Sequence, residues 1–179
     1  MVARDIAKEC ASRRVIRVSH ALCETACSAP RRTVRDMNDF NARVIEEFRS
    51  NGGRVVQNGP FGRTLVLLHT VGARSGAARI NPLFSQRVNG GWVIAASKAG
   101  HPSDPAWAHN LRAHPDQTIV EYADEAGVVR SARVRVSELA GEERSATWER
   151  FVAAAPMFGE YQVKAGDRII PLFELTLAE

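Results

Sequence analysis

Cysteine is scarce in this 179-residue chain and confined to its beginning, at Cys10, Cys23 and Cys27. Everything after Pro30 therefore lacks disulfide staples, and a chain of this length can bury a core without them. The odd count reads as free thiols in a reducing compartment. Cys23 and Cys27 sit at helical spacing, but no nearby histidine or further cysteine completes a tetrahedral set. His69, His101, His109 and His114 also fall in no metal-ligand spacing, so no metal is expected.

Other absences narrow the function. No apolar run approaches the roughly 18 residues of a membrane span. No G-x-S-x-G elbow, Walker loop or G-x-G-x-x-G occurs, which removes the usual signatures of serine hydrolases, P-loop nucleotidases and dinucleotide-binding domains. Lysine is present only at Lys8, Lys98 and Lys164. The net charge of +4 suggests an acidic partner until it is divided along the chain. Residues 1–35 hold eight basic and three acidic residues, a net +5, and the other 144 sum to −1. The basicity belongs to an N-terminal arm, and a nucleic-acid partner loses its support.

That arm, residues 1–35, is poorly patterned and ends in Ala29-Pro30-Arg31-Arg32. Ser12 to Arg17 faintly resembles a twin-arginine export signal, but His20 and Glu24 interrupt what should be an apolar h-region. A flexible or membrane-surface arm is the better reading. The expected location is cytoplasmic, with the arm able to hold the protein at the inner face of the membrane.

From residue 36 to 179 the pattern is that of one folded domain. Phe40, Val44, Ile45 and Phe48 recur at helical spacing, with Asp36 or Asn38 as a cap and Gly52-Gly53 as the stop. Strands are expected at 54–56, 64–70, 79–88 and 92–97, the last two joined by a hairpin at Asn89-Gly90-Gly91. A helix follows from Pro105 to about His114. A second hairpin joins 117–122 to 128–136 across 124–127. Then come a helix from Ser137 to about Ala155, a helical piece near 158–163, and a last strand at 169–175. This order is mainly β with inserted helices, as in a small barrel and unlike alternating βαβ units.

Three clusters carry candidate chemistry. The most informative is Leu65 to Phe84, LVLLHTVGARSGAARINPLF, which reads as a buried strand, a glycine-bounded basic turn and a second strand. Arg74 and Arg79 can give paired charge-assisted hydrogen bonds to a phosphate or carboxylate, and the amides of 72–76 add neutral donors. Taken alone, an ordinary solvated basic turn is the simpler reading. The second cluster is Ala95 to Gly100, whose small residues let a flat ring approach the backbone while Ser97 and Lys98 supply donors. The third is Asp104 to Leu111, where Pro105 opens a helix and Trp107 can edge a site. Each of these also reads as plain packing.

Taken together, the motifs are far more specific. T-x-G-x-x-S-G-x-x-R-x-N-P-L from Thr70, A-S-K-x-G from Ala96 and P-A-W-x-x-N-L from Pro105 resemble the deazaflavin-dependent nitroreductase family. These are split β-barrel oxidoreductases, of the FMN-binding-protein type, that use coenzyme F-420. The resemblance runs from Asp39 to about Glu174, with F-N-x-x-V-I-E-E-F-R-x-N-G-G-R-V at Phe40 to Val55 and P-x-F-x-x-Y-Q at Pro156 to Gln162. It implies about six antiparallel strands in a split barrel. It also implies that Arg74 and Arg79 hold the cofactor's phosphate and acidic tail, with Ser75 and Gly76 shaping the turn. Asn81, Pro82, Leu83 and Phe84 would line the ring. Ala96, Ser97, Lys98, Ala99 and Gly100 would follow its other edge, and Trp107, Asn110 and Leu111 would close the pocket. Three positions depart from the family: Ala73 where a basic residue is frequent, Ala108 where an aromatic is common, and Phe158 in place of a frequent tyrosine.

The implied activity is hydride transfer from reduced F-420 to a quinone, enone, nitro compound or similar small acceptor. Tyr161 is the first candidate for proton donor or substrate-orienting group, and Ser97 the second, while a purely packed Tyr161 fits the sequence equally well. FMN is the alternative cofactor, and a non-catalytic carrier of F-420 or of a lipid-like ligand the alternative function. Related split barrels are often dimers, which leaves a homodimer open.

Overall fold

Successive side chains of a strand point to opposite faces, and that alternation decides which of them enter the inside of a cylinder and which meet the helices around it. In the computed structural model, which describes residues 34–178, six antiparallel strands close in the order β1-β2-β3-β6-β5-β4. They are β1 (Leu65–Val71), β2 (Ala78–Val88), β3 (Gly91–Ala95), β4 (Ile119–Ala123), β5 (Val129–Glu138) and β6 (Leu172–Leu177). Four helices accompany them: α1 (Val34–Ser50), α2 (Ala106–Ala113), α3 (Gly141–Ala154) and α4 (Met157–Ala165). The expectations about the cysteines and residues 1–33 lie outside the described residues. Among the described residues no helix is long and apolar enough to cross a membrane.

Val66, Leu68, Trp92, Ile94, Val120, Val134, Phe173 and Leu175 form the cluster inside the barrel, and Trp107, Ala108 and Leu111 of α2 join it. The alternate residues look outward. Leu65 and Leu67 pack with Val44 and Phe48 of α1, which docks on the barrel as its apolar stripe requires. Val93, Ala95 and Leu172 pack with Phe151 of α3 and Phe158 of α4. Burying Val44 and Phe48 almost completely contributes roughly 1.5–3 kcal/mol each.

One strand is shared unequally. β2 pairs with β1 through residues 78–84 and with β3 only through 85–88, where Ser85 faces Ile94 and Val88 faces Gly91. Its first seven residues therefore keep an open edge on the side of β3, and Pro82, which has no N–H to give a neighbour, sits within that stretch. This is the split in the barrel.

Several expected boundaries shift. Asp36 and Asn38 lie within α1, so neither caps its start. The stretch 54–56 makes only an isolated bridge, Val55 with Gly62. Residues 137 and 138 extend β5 instead of opening α3, because Ser137 and Glu138 pair with Glu174 and Phe173 of β6. β6 starts at Leu172 because the Ile170 N–H is already given to Gln162 Oε1 (3.0 Å) and Pro171 has none.

Glu47 ties α1 to the segment after it. Its carboxylate, 8% exposed, accepts from the N–H groups of Val56 (2.6 Å), Gln57 (2.8 Å) and Asn58 (2.9 Å) and from Asn58 Nδ2 (2.9 Å). Burial works to raise its pKa, but the backbone donors of Gln57, Val56 and Asn58 outweigh it and hold the group at about 2, against an ordinary 4.5. The folded form thus binds its proton less readily than the unfolded chain, so this contribution is full above pH 4.5 and is lost as the pH falls toward 2. Urea unfolding should show Glu47→Gln less stable than the parent at pH 7, with the gap narrowing as the pH is lowered from 4.5 toward 2. A gap that is constant with pH would mean the carboxylate's charge contributes nothing.

Candidate active site

The open edge of β2 forms one wall of a cleft of about 810 Å³. Facing it are the β1–β2 turn at residues 72–75, Lys98, the start of α2 from Pro105 to Asn110, and Met37 and Asn41 of α1. Arg79, Asn81, Pro82 and Leu83 complete the wall from β2. Of the residues expected from sequence, Arg74, Ser75, Arg79, Asn81, Pro82, Leu83, Lys98, Trp107 and Asn110 are brought together here.

The basic turn is tightly closed. Gly72 N–H donates to Ala77 O (2.9 Å) and Gly76 N–H to Gly72 O (2.8 Å), with Gly76 in the left-handed region at φ 63°. A Cβ on Gly72 would lie 2.5 Å from Ser75 Oγ, so glycine there is a matter of space. The turn is held from across the cleft by Asn110, whose Oδ1 accepts from Ala73 N–H (2.9 Å) and whose Nδ2 donates to Thr70 Oγ1 (3.1 Å). Asn110 is thus a strut between α2 and the turn as well as part of the lining.

The electrostatics favour an anion. Arg74, Arg79 and Lys98 line the cleft, and no aspartate or glutamate does. Four arginines elsewhere in the fold are paired with carboxylates: Arg49 with Glu121, Arg112 with Asp104 and Glu138, Arg130 with Asp124, and Arg168 with Asp104. Among the described residues Arg79 donates only to the Ala78 carbonyl, at 3.2 Å, and Lys98 Nζ only to Ser103 Oγ, at 3.1 Å. Met37, Pro82, Leu83, Pro105, Ala106 and Trp107 give the cleft an apolar floor and sides, as a flat ring with an anionic tail requires.

The wall at 97–101 is strained. Lys98 (φ 46°), Ala99 (φ 51°) and Gly100 (φ 78°) are all left-handed, closed by Gly100 N–H on Ser97 O (2.9 Å) and His101 N–H on Lys98 O (3.1 Å). For the two non-glycine residues this costs about 1–2 kcal/mol each. Gly100 is pressed against α4, where a Cβ would come within 2.8 Å of both Lys164 Cβ and the Tyr161 carbonyl.

The remaining expected residues are elsewhere. Ala96 and Leu111 are in the barrel core. Phe84 turns to the other face of β2, its ring 5.4 Å from those of both Phe151 and Phe158. Gly76, Ala99 and Gly100 shape backbone without lining the cleft, and Ser97 contributes its carbonyl to Arg168. Tyr161 is not among the lining residues, and its ring lies edge-on to Phe158 at 5.6 Å. Asp104 does not cap α2; its carboxylate joins Arg168 and Arg112. Sequence reasoning missed Met37, Asn41 and His109 as lining residues. The first two had a signal: with Val44 and Phe48 they form one stripe on α1, whose first turns run beyond the buried part.

Replacing Asn110 by leucine would keep its branched shape, though not its volume, and leave the buried Thr70 hydroxyl and the Ala73 amide without their partner. The expected loss of stability is about 1–3 kcal/mol, with faster hydrogen exchange at Ala73. Unchanged exchange at that amide would show that the turn holds itself.

Comparison with known proteins agrees with this geometry. The family model described as F-420H(2)-dependent quinone reductase matches residues 41–176. An F-420H(2)-dependent quinone reductase of Mycobacterium tuberculosis is 39% identical over 72 residues, 40% of this chain and 48% of that protein. The matched stretch thus spans about half the length of this curated relative. A solved structure described as an F-420-H2-dependent reductase is 38% identical, with 63% of this chain and 94% of that one covered and a TM-score of 0.55. Another, described as a domain-swapped dimer, is 35% identical, with 80% and 99% covered and a TM-score of 0.56. The split barrel, its motifs and these matches together establish that the chain belongs to the F-420H(2)-dependent quinone reductase family.

Proposed function

We propose that the chain binds reduced coenzyme F-420 in the cleft and reduces a quinone or a similar small, flat acceptor there. The observation that carries this reading is the gathering of three cations, Arg74, Arg79 and Lys98, with no carboxylate among the described lining residues, around an apolar slot against the open edge of β2. A group that joins a planar ring to a phosphate and a carboxylate tail fits both halves of that cleft. When bound, the reduced deazaflavin supplies the hydride.

The residues supply position and electrostatics. Arg74 and Arg79 would give planar, always-charged donors to the tail. Pro82, Leu83 and Trp107 would supply apolar surface for the ring and keep water from it. A quinone that accepts hydride also needs a proton, and the lining groups that carry one are the Lys98 ammonium and the His109 ring. We give Tyr161 a packing role, on its contact with Phe158 and its absence from the lining.

Titration with F-420 should quench the cofactor's fluorescence. Arg74→Ala and Arg79→Ala should each raise Kd about tenfold at low salt, with a shallower salt dependence than the parent. Equal or tighter binding of FMN would move the cofactor assignment to flavin. Mixing with reduced F-420 and a naphthoquinone should restore the absorbance of the oxidised cofactor, whereas binding without oxidation across an acceptor panel would identify a carrier. Tyr161→Phe should change turnover by less than about twofold; a larger loss at unchanged F-420 affinity would make its hydroxyl the proton donor.

A further inference from the structure

The strained wall at 97–101 does not hold itself. Its two internal hydrogen bonds close a left-handed turn in which Lys98 and Ala99 both pay for positive φ. What spans it is Arg168, from the segment between α4 and β6. Its Nε donates to His101 O (2.9 Å), its Nη2 to Ser97 O (2.9 Å), and its Nη1 to Ala96 O (3.1 Å) and to Asp104 Oδ1 (2.9 Å). One guanidinium thus grips the chain before the turn, at its start and just after it, and adds the carboxylate that precedes α2. The pair is mostly shielded, with side chains 13% and 15% exposed.

The clamp is itself held from both sides. Gln162 of α4 donates from Nε2 to the Arg168 carbonyl (2.7 Å) and accepts from Ile170 N–H (3.0 Å), which fixes the segment that carries the arginine. The other oxygen of Asp104 accepts from Arg112 Nη1 (2.8 Å), and Arg112 pairs with Glu138 through Nε (2.7 Å) and Nη2 (2.6 Å). Only a planar fork with donors in three directions can meet this set of acceptors, and a lysine ammonium cannot span them.

We infer that Arg168, with Asp104, is a positioning residue for the cleft: it holds the turn at 97–101 in its left-handed form and so presents Lys98 to the bound cofactor. This deepens the reading of the site given above and rests on it. Arg168 is not among the lining residues, and its effect reaches the ligand through Lys98. Lys98 projects from the first residue of the strained turn, so relaxation of that turn moves the ammonium away from the slot. Arg74 lies on the β1–β2 turn, next to the Ala73 amide that Asn110 holds, and shares no hydrogen bond with Arg168 or Asp104 among the described residues.

The test is a set of double-mutant cycles on F-420 affinity, read by fluorescence titration of the full-length protein. Lys98→Ala and Arg74→Ala should each raise Kd about five- to tenfold in the parent. In the Arg168→Ala background, Lys98→Ala should add less than about twofold, while Arg74→Ala keeps its whole effect. Arg168→Lys should behave as Arg168→Ala, since charge alone does not restore the fork. If Arg168→Ala does not fold, Asp104→Asn keeps the shape and weakens the same clamp, and it should reduce the Lys98 effect in the same direction. A full Lys98 effect in both backgrounds would overturn the positioning role while leaving the site intact. No effect of either Lys98→Ala or Arg74→Ala in the parent would overturn the site, and the positioning role with it.

Discussion

The hydrogen bonding of β2 changes partner halfway along its length, and the cleft depends on that change. Residues 78–84 belong to β1 and residues 85–88 to β3. A strand paired on both sides throughout would have closed the barrel with a continuous ladder and left no slot. Because β3 ends at Ala95 and the chain then leaves the sheet, one edge of 78–84 is free. An exposed edge is ordinarily a liability that invites pairing with another chain. Here Pro82 interrupts it, and α1 and α2 flank it with Met37, Asn41 and Trp107.

Around that slot the fold separates two kinds of charge. Arg49, Arg112, Arg130 and Arg168 are consumed by carboxylates and carbonyls that brace one element against another. Among the described residues Arg74 and Arg79 have no carboxylate partner, and they stand on and just after a turn whose Ala73 amide Asn110 holds. The placement matters more than the number of cations, since an arginine already engaged in a bracing pair has few donors left for a ligand. The left-handed turn at 97–101 extends the same logic to the backbone: a conformation that costs free energy by itself is kept because neighbouring groups over-determine it.

Much of this was legible in the residues. The continuous apolar runs at 65–68 and 92–95, the Asn89-Gly90-Gly91 hairpin and the stripe of Val44 and Phe48 give the barrel and its docked helix. The motif from Thr70 to Leu83 gives the basic turn and the wall beside it. What sequence could not supply were relations between distant positions. Arg168 meets partners 64 to 72 residues away, and nothing local to Gly166-Asp167-Arg168 marks it as a clamp. Asp104 stands where a helix cap is expected, yet two arginines outcompete the α2 amides for its carboxylate. Phe84 and Tyr161 fit the motif by position, but strand alternation and the packing of α4 turn them into the aromatic cluster with Phe151 and Phe158. Likewise, Ser137 looks like a helix start until β6 pairs with it.

The central claim is that the open edge of β2 is where the deazaflavin ring lies, with its tail on the basic turn. The most direct measurement is backbone amide chemical-shift mapping of the labelled protein as F-420 is added. The account predicts shifts concentrated at 72–84, 97–101 and 105–110, with the outer face bearing Arg49, His69 and Glu121 left unmoved. Shifts centred on that outer face, or on the cluster of α3 and α4, with 72–84 silent would contradict it.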